Sequence, residues 1–185
     1  MPKVDAGPDA QVDPNADSLA AIEGVMGDRC GGVMGDPGTE ATLTVEFTTA
    51  PLDEHWTPAN VGAVWIEDAE ETFVRTIGYW AAVRIASLYV WGKRACHMSA
   101  LEPDARTGAT EPKHDKLHAF NWDGKDLRGH VVPDGMYSLH IEVTETETNF
   151  GPHEVIPFNK GTDAQTLMPA DSMAAKGLKI VYTPK

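Results

Sequence analysis

The sequence predicts an all-β chain folded as an antiparallel two-sheet sandwich, with one short helix and a disordered N-terminal stalk. Three observations carry that expectation. Residues 41–48 (ATLTVEFT) alternate strictly between apolar and polar, the period of a half-buried strand. About seven short apolar runs follow one another with turn signals between them. Residues 3–18 (KVDAGPDAQVDPNADS) carry almost nothing to bury.

In chain order, the stalk comes first. Asp5, Asp9, Asp13 and Asp17 recur every fourth residue, but Pro8 and Pro14 break helix and the spacing is not that of an EF-hand loop. An extended, solvated stalk is expected. Residues 24–36 repeat GVMGD around Cys30, and two copies at this glycine density mean a loop and no solenoid. The stalk and lead-in therefore cover residues 1–38, and the sandwich residues 39–185. In the first strand Leu43, Val45 and Phe47 face inward. Residues 62–68 (GAVWIED) and 73–80 (FVRTIGYW) read as two strands joined by an acidic turn, in which Glu67, Asp68, Glu70 and Glu71 are expected to be solvated. Residues 81–94, with Val83, Leu88 and Trp91, hold the single helix. Residues 98–116 form a long polar connection. Strands are then expected at 117–122, 136–144, 153–158 and 178–183. Asp123-Gly124 and Asp134-Gly135 supply the positive φ of tight connections.

Charge limits the partners. Twenty-eight acidic against 15 basic residues give a net charge of −13, which works against nucleic acid and against anionic lipid. No apolar run is long enough to span a membrane. Met1-Pro2-Lys3 opens no signal peptide, so export would need a targeting segment upstream. The stalk resembles those that join a lipid-anchored cysteine to an exported domain. Cys30 and Cys96 lack C-x-x-C spacing. In an oxidising compartment they read as one disulfide closing a long loop, and in a reducing one as two thiols.

Residues 122–143 (WDGKDLRGHVVPDGMYSLHIEV) resemble the closing hairpin of bacterial immunoglobulin-like modules such as the flagellar hook-capping protein. In that hairpin Tyr137, Leu139, Ile141 and Val143 face the core. Together with VGAVWIEDAEETFVRTIGYW (61–80) and DARTGATEP (104–112) they look like a family of predicted periplasmic proteins, domain of unknown function 2271. The likeness runs from Thr39 to the C-terminus. It implies an immunoglobulin-like antiparallel β-sandwich and a periplasmic or cell-surface location, and it implies no chemistry.

Asp104-Ala105-Arg106-Thr107-Gly108-Ala109-Thr110 is similar to the acceptor motif of covalently flavinylated proteins, in which a separate flavin transferase joins FMN through its phosphate to the last threonine. The likeness implies Thr110 as the acceptor hydroxyl, Gly108 and Ala109 as clearance, and Asp104 as a recognition residue. Ala105 and Thr107 stand where such motifs more often carry glycine and serine. Glu111-Pro112-Lys113-His114 replaces the basic residue and Pro-Gly expected of the periplasmic family. The alternative is a polar surface loop whose Asp104 and Thr107 bond their own backbone.

Other candidates are weaker. Cys96-His97-Met98 sets three soft-metal ligand types in a row, but consecutive residues do not readily converge on one ion. His114 and His118 stand four apart in a loop entering a strand, and His140 is expected to face solvent. No G-x-S-x-G elbow, spaced Ser-Lys pair or glycine-rich phosphate loop is present. The leading expectation is an exported, non-catalytic accessory or binding module with a protein partner. The alternatives are an FMN carrier on Thr110, served by a flavin transferase and a redox assembly, and a copper-binding protein.

Overall fold

A computed structural model describes residues 35–95, 110–147 and 151–185. Among these residues eight strands form two four-stranded sheets, antiparallel throughout. Strands β1 (Ala41–Thr49), β2 (Val61–Asp68), β3 (Phe73–Tyr79) and β4 (His118–Trp122) are followed by β5 (Gly135–Thr144), β6 (His153–Lys160), β7 (Gln165–Leu167) and β8 (Ala175–Pro184). The first sheet runs β4-β1-β8-β7 and the second β3-β2-β5-β6. They close face to face over one core, in which Leu43, Val45 and Phe47 meet Val64, Ile66, Leu139 and Ile141. This is the antiparallel two-sheet sandwich the patterning predicts, with the immunoglobulin-like architecture the family resemblance implies.

The first sheet keeps one face wet, so β1 alternates buried and half-exposed residues along its length. Along β2 and β3 the second sheet does not. Seven of the eight residues of β2 are buried, because its outer face carries a second apolar cluster. There Val61, Ala63, Trp65 and Phe73 pack against Leu88, Trp91 and Ala95. Leu88 and Trp91 belong to the connection expected as one helix over 81–94, and Ala95 directly follows it. It is in fact a 3-10 turn (Ala82–Ser87) followed by α1 (Tyr89–Arg94), broken where Leu88 takes φ −83° and ψ 82°. The break lets Leu88 and Trp91 both reach the sheet. No local side chain caps α1; Glu142 of β5 accepts its Val90 and Trp91 N–H groups at 3.0 and 2.8 Å.

Residues 122–143 do not form the expected hairpin. β4 pairs with β1 in the first sheet and β5 with β2 and β6 in the second, so the chain crosses between sheets. The expected turn and inward residues are nevertheless present. Gly124 turns with φ +75°, Trp122 Nε1 donates to Lys125 O, and Tyr137, Leu139, Ile141 and Val143 are buried. The mouth of β1 is pinned by Lys160, whose buried Nζ donates to Asp134 Oδ1 at 2.9 Å and to Thr39 O at 2.7 Å. The Lys160 hydrogen bond, with two more from Thr39, lowers the Asp134 carboxyl to about 2. Gly78 is required by close packing, since a Cβ there would lie 2.2 Å from the Phe120 ring of the opposite sheet. β7, three residues long, has too few positions to show a period and is not visible in the sequence.

Candidate functional site

Thr110 is the one residue of the flavin-type motif among the described residues, and its surroundings are specific. The next residue, Glu111, forms a two-bond bridge to Asn60, with Asn60 N to Glu111 O at 2.8 Å and Glu111 N to Asn60 O at 2.9 Å. Asn60 is fully buried. Its Oδ1 accepts the Trp80 indole N–H at 3.0 Å and its Nδ2 donates to Lys113 O at 3.3 Å. Three residues on, His114 Nδ1 meets Thr49 Oγ1 at 2.8 Å, and Nε2 lies 2.5 Å from Glu145 Oε1. Glu145 also accepts the N–H groups of Leu52 and Glu54 at 3.1 Å and the Thr57 hydroxyl. Burial raises its carboxyl, but the Thr57, Leu52 and Glu54 hydrogen bonds and the His114 charge outweigh that and hold it below its ordinary value.

Residues 111–114 are thus bolted to the sandwich, while Thr110 at their head is half-exposed. Its hydroxyl takes no hydrogen bond from the described residues. Trp80, Trp91 and Trp122, the rings available to clamp a flavin, are each at most 2% exposed and present no face to solvent. Trp56, which the sequence does not single out, is half-buried in the loop before Asn60, with the Arg84 guanidinium 4.1 Å above its ring. Asp104, Thr107, Gly108 and Ala109 lie outside the described residues, as do Cys30, Cys96, His97 and Met98.

Thr49, His114 and Glu145 fall in the order hydroxyl, imidazole, carboxylate, but they make no hydrolase triad. Thr49 is buried and Glu145 is spent on three other donors, so no substrate atom can approach the hydroxyl.

A second polar cluster lies on the outer face of the second sheet and overturns two expectations. Glu67, read as solvated, is 1% exposed. Its Oε1 accepts the Trp65 indole N–H at 2.7 Å and its Oε2 the Arg94 guanidinium at 3.0 Å. His140, read as facing solvent, is buried. Its Nε2 lies 3.5 Å from Glu67 Oε2 and its Nδ1 2.9 Å from His153 Nε2. Both imidazoles stack on Trp65. Burial, helped by the charges of His153 and Arg94, pushes His140 down to about 3; burial raises Glu67 despite the Trp65 bond and Arg94. The reason for both corrections is the helical connection, which dries a face that alternation assigns to water.

His118 is a third correction. It is buried on Trp80, 4.1 Å between ring centres, and burial lowers it to about 4. It shares no site with His114.

Among the described residues no three His, Cys, Asp or Glu side chains are arranged to hold a metal, and no helix is long and apolar enough to cross a membrane. A family model described as "Predicted periplasmic protein (DUF2271)" matches residues 42–172. No curated protein and no solved structure matches the chain, so nothing beyond the residues 122–143 themselves supports their likeness to hook-capping modules.

Proposed function

The chain belongs to this family of predicted periplasmic proteins, and from that premise we propose that it is a non-catalytic accessory module that carries FMN covalently on Thr110. The observation that carries the reading is the state of Thr110: a half-exposed hydroxyl with no hydrogen-bond partner among the described residues, at the head of a rigid anchor. A threonine that served only to cap a turn would spend its oxygen on backbone. An acceptor must offer that oxygen to a second enzyme.

Attachment asks little of this chain. Thr110 Oγ1 forms a bond to the FMN phosphorus of a flavin dinucleotide, the pyrophosphate bond breaks, and the mononucleotide half leaves with the electron pair. The hydroxyl proton passes to a base of the transferase. The bound flavin then supplies the redox chemistry, and the sandwich supplies position. The Asn60–Glu111 bridge and the His114–Glu145 contact fix where the phosphate ester leaves the protein. The carrier exchanges electrons with a partner redox assembly. An oxidising periplasm suits a Cys30–Cys96 disulfide, and a lipid anchor upstream of the stalk would hold the module at the membrane.

A plain binding module is the second reading, favoured by the exposed apolar side chains of Met136 and Val155 on β5 and β6 and of Met168 and Met173 near β7 and β8. Copper on Cys96-His97-Met98 rests on the sequence alone.

Co-expression with a competent flavin transferase separates the first two readings. The wild-type band should fluoresce as flavin after denaturing electrophoresis. Thr110→Ala should be dark while keeping its melting temperature within about 1–2 °C, as expected of an exposed site. A fluorescent Thr110→Ala band, or a dark wild type beside a labelled control acceptor, returns the protein to the binding-module reading.

A further inference from the structure

An FMN on Thr110 needs a surface for its isoalloxazine ring, and the buried Trp80, Trp91 and Trp122 do not supply one. We propose that Arg84, stacked on Trp56, is the positioning residue for that ring and raises its reduction potential, an inference that rests on the Thr110 reading.

Trp56 and Thr110 are fixed to one scaffold, because Glu145 holds both. Its backbone oxygen accepts the Trp56 N–H at 2.9 Å, and its carboxylate meets His114 of the Thr110 anchor. Ala59 N donates to Trp56 O at 2.8 Å, closing a turn that leads into Asn60, the bridge partner of Glu111. Along that turn and bridge the Cα atoms of Trp56 and Thr110 are at most about 20 Å apart. An extended ribityl chain and an arginine side chain together cover that span. Trp56 and Ile85 pack against the apolar cluster outside the second sheet, and the Arg84 guanidinium lies 4.1 Å from the indole centre. Arg84 N donates to Ala81 O at 2.8 Å, and the backbone bends out of helical values at Arg84, with φ −101° and ψ 19°. The side chain is half-exposed and meets no carboxylate among the described residues.

A planar guanidinium backed by an indole offers its other face to a second flat ring. The oxidised isoalloxazine is neutral. Two electrons from the redox partner and one proton from solvent leave it with one negative charge, shared by N1 and the C2 carbonyl. A net charge of −13 opposes that change, and Arg84 offsets the opposition locally. Its own proton does not titrate, so the effect persists at every working pH.

The test uses the full chain co-expressed with a flavin transferase, titrated reductively against a dye of known potential. Arg84→Gln should keep its melting temperature and lower the midpoint by about 30 mV or more, a tenfold shift in a two-electron equilibrium. Arg84→Lys, which keeps the charge, should recover most of that loss. Lys113→Gln removes an equal charge from an exposed side chain beside the anchor, and should shift the midpoint by less than half as much. A labelled Arg84→Gln protein with the parent's midpoint overturns the role of Arg84 and leaves the Thr110 reading standing. So does a Lys variant as low as the Gln variant, or an equal shift from Lys113→Gln. A wild type that takes no flavin beside a labelled control acceptor overturns both.

Discussion

The two sheets of this sandwich are built from similar strands and live in different solvents. The first sheet shows water one face, and its outward residues Thr42, Thr44 and Glu46 are half-exposed. The second is dry on both faces along β2, β3 and the later half of β5, where the outward residues Trp65, Glu67, His140 and Glu142 are all buried, and its β6 side meets water. A polar residue on the first sheet costs nothing and does little. On the second sheet each must find a partner, and nearly every one does: Trp65 and Arg94 on Glu67, His153 on His140, the α1 amides on Glu142. Four perturbed ionisable groups, Glu67, His140, Glu142 and His153, therefore share one face, for reasons of packing before any of function.

Four substitutions and one titration sharpen that contrast. Trp91→Ala empties the space between α1 and β2 and should cost about 3–5 kcal/mol in chemical denaturation. Glu142→Ala strands the buried Trp91 amide and the part-buried Val90 amide and should cost roughly 2–4 kcal/mol. Thr44→Ala on the wet face should fall within about 0.5 kcal/mol, and equal losses at Thr44 and Glu142 would erase the distinction between the sheets. Thr110→Ala should leave stability unchanged.

The titration follows from burial of neutral imidazoles. His118 and His140 are lowered to about 4 and about 3 from 6.5, so between those limits the unfolded chain binds protons that the folded chain does not. Stability should be full above about pH 6.5 and fall steadily as the pH drops toward 4. Replacing His118 by Phe should flatten part of that slope. An unchanged slope would mean that His118 is charged within its aromatic pocket.

The same contrast explains what the sequence discloses. β1 is legible because Thr42, Thr44 and Glu46 interrupt Leu43, Val45 and Phe47 at every second position. The residues 62–68 are recognisable as a strand, but the orientation of Glu67 is not, because nothing in GAVWIED tells which outward face a distant segment will cover. His140 fails for the same reason: its period of two is correct, and the solvent that period assumes is occupied by its neighbours. The helical connection is legible in extent and not in form, since the break at Leu88 answers to two side chains reaching one sheet. At the candidate site, Thr110 is legible from its motif. Its anchor is not, because Asn60, His114 and Glu145 come from three separate segments that no spacing joins.

The most direct test of the central claim is intact mass spectrometry, with peptide mapping, on protein from its native host. The account predicts the polypeptide mass increased by one FMN less one water, with the adduct on the peptide containing Thr110. A bare polypeptide mass from cells in which another acceptor is flavinylated would contradict it.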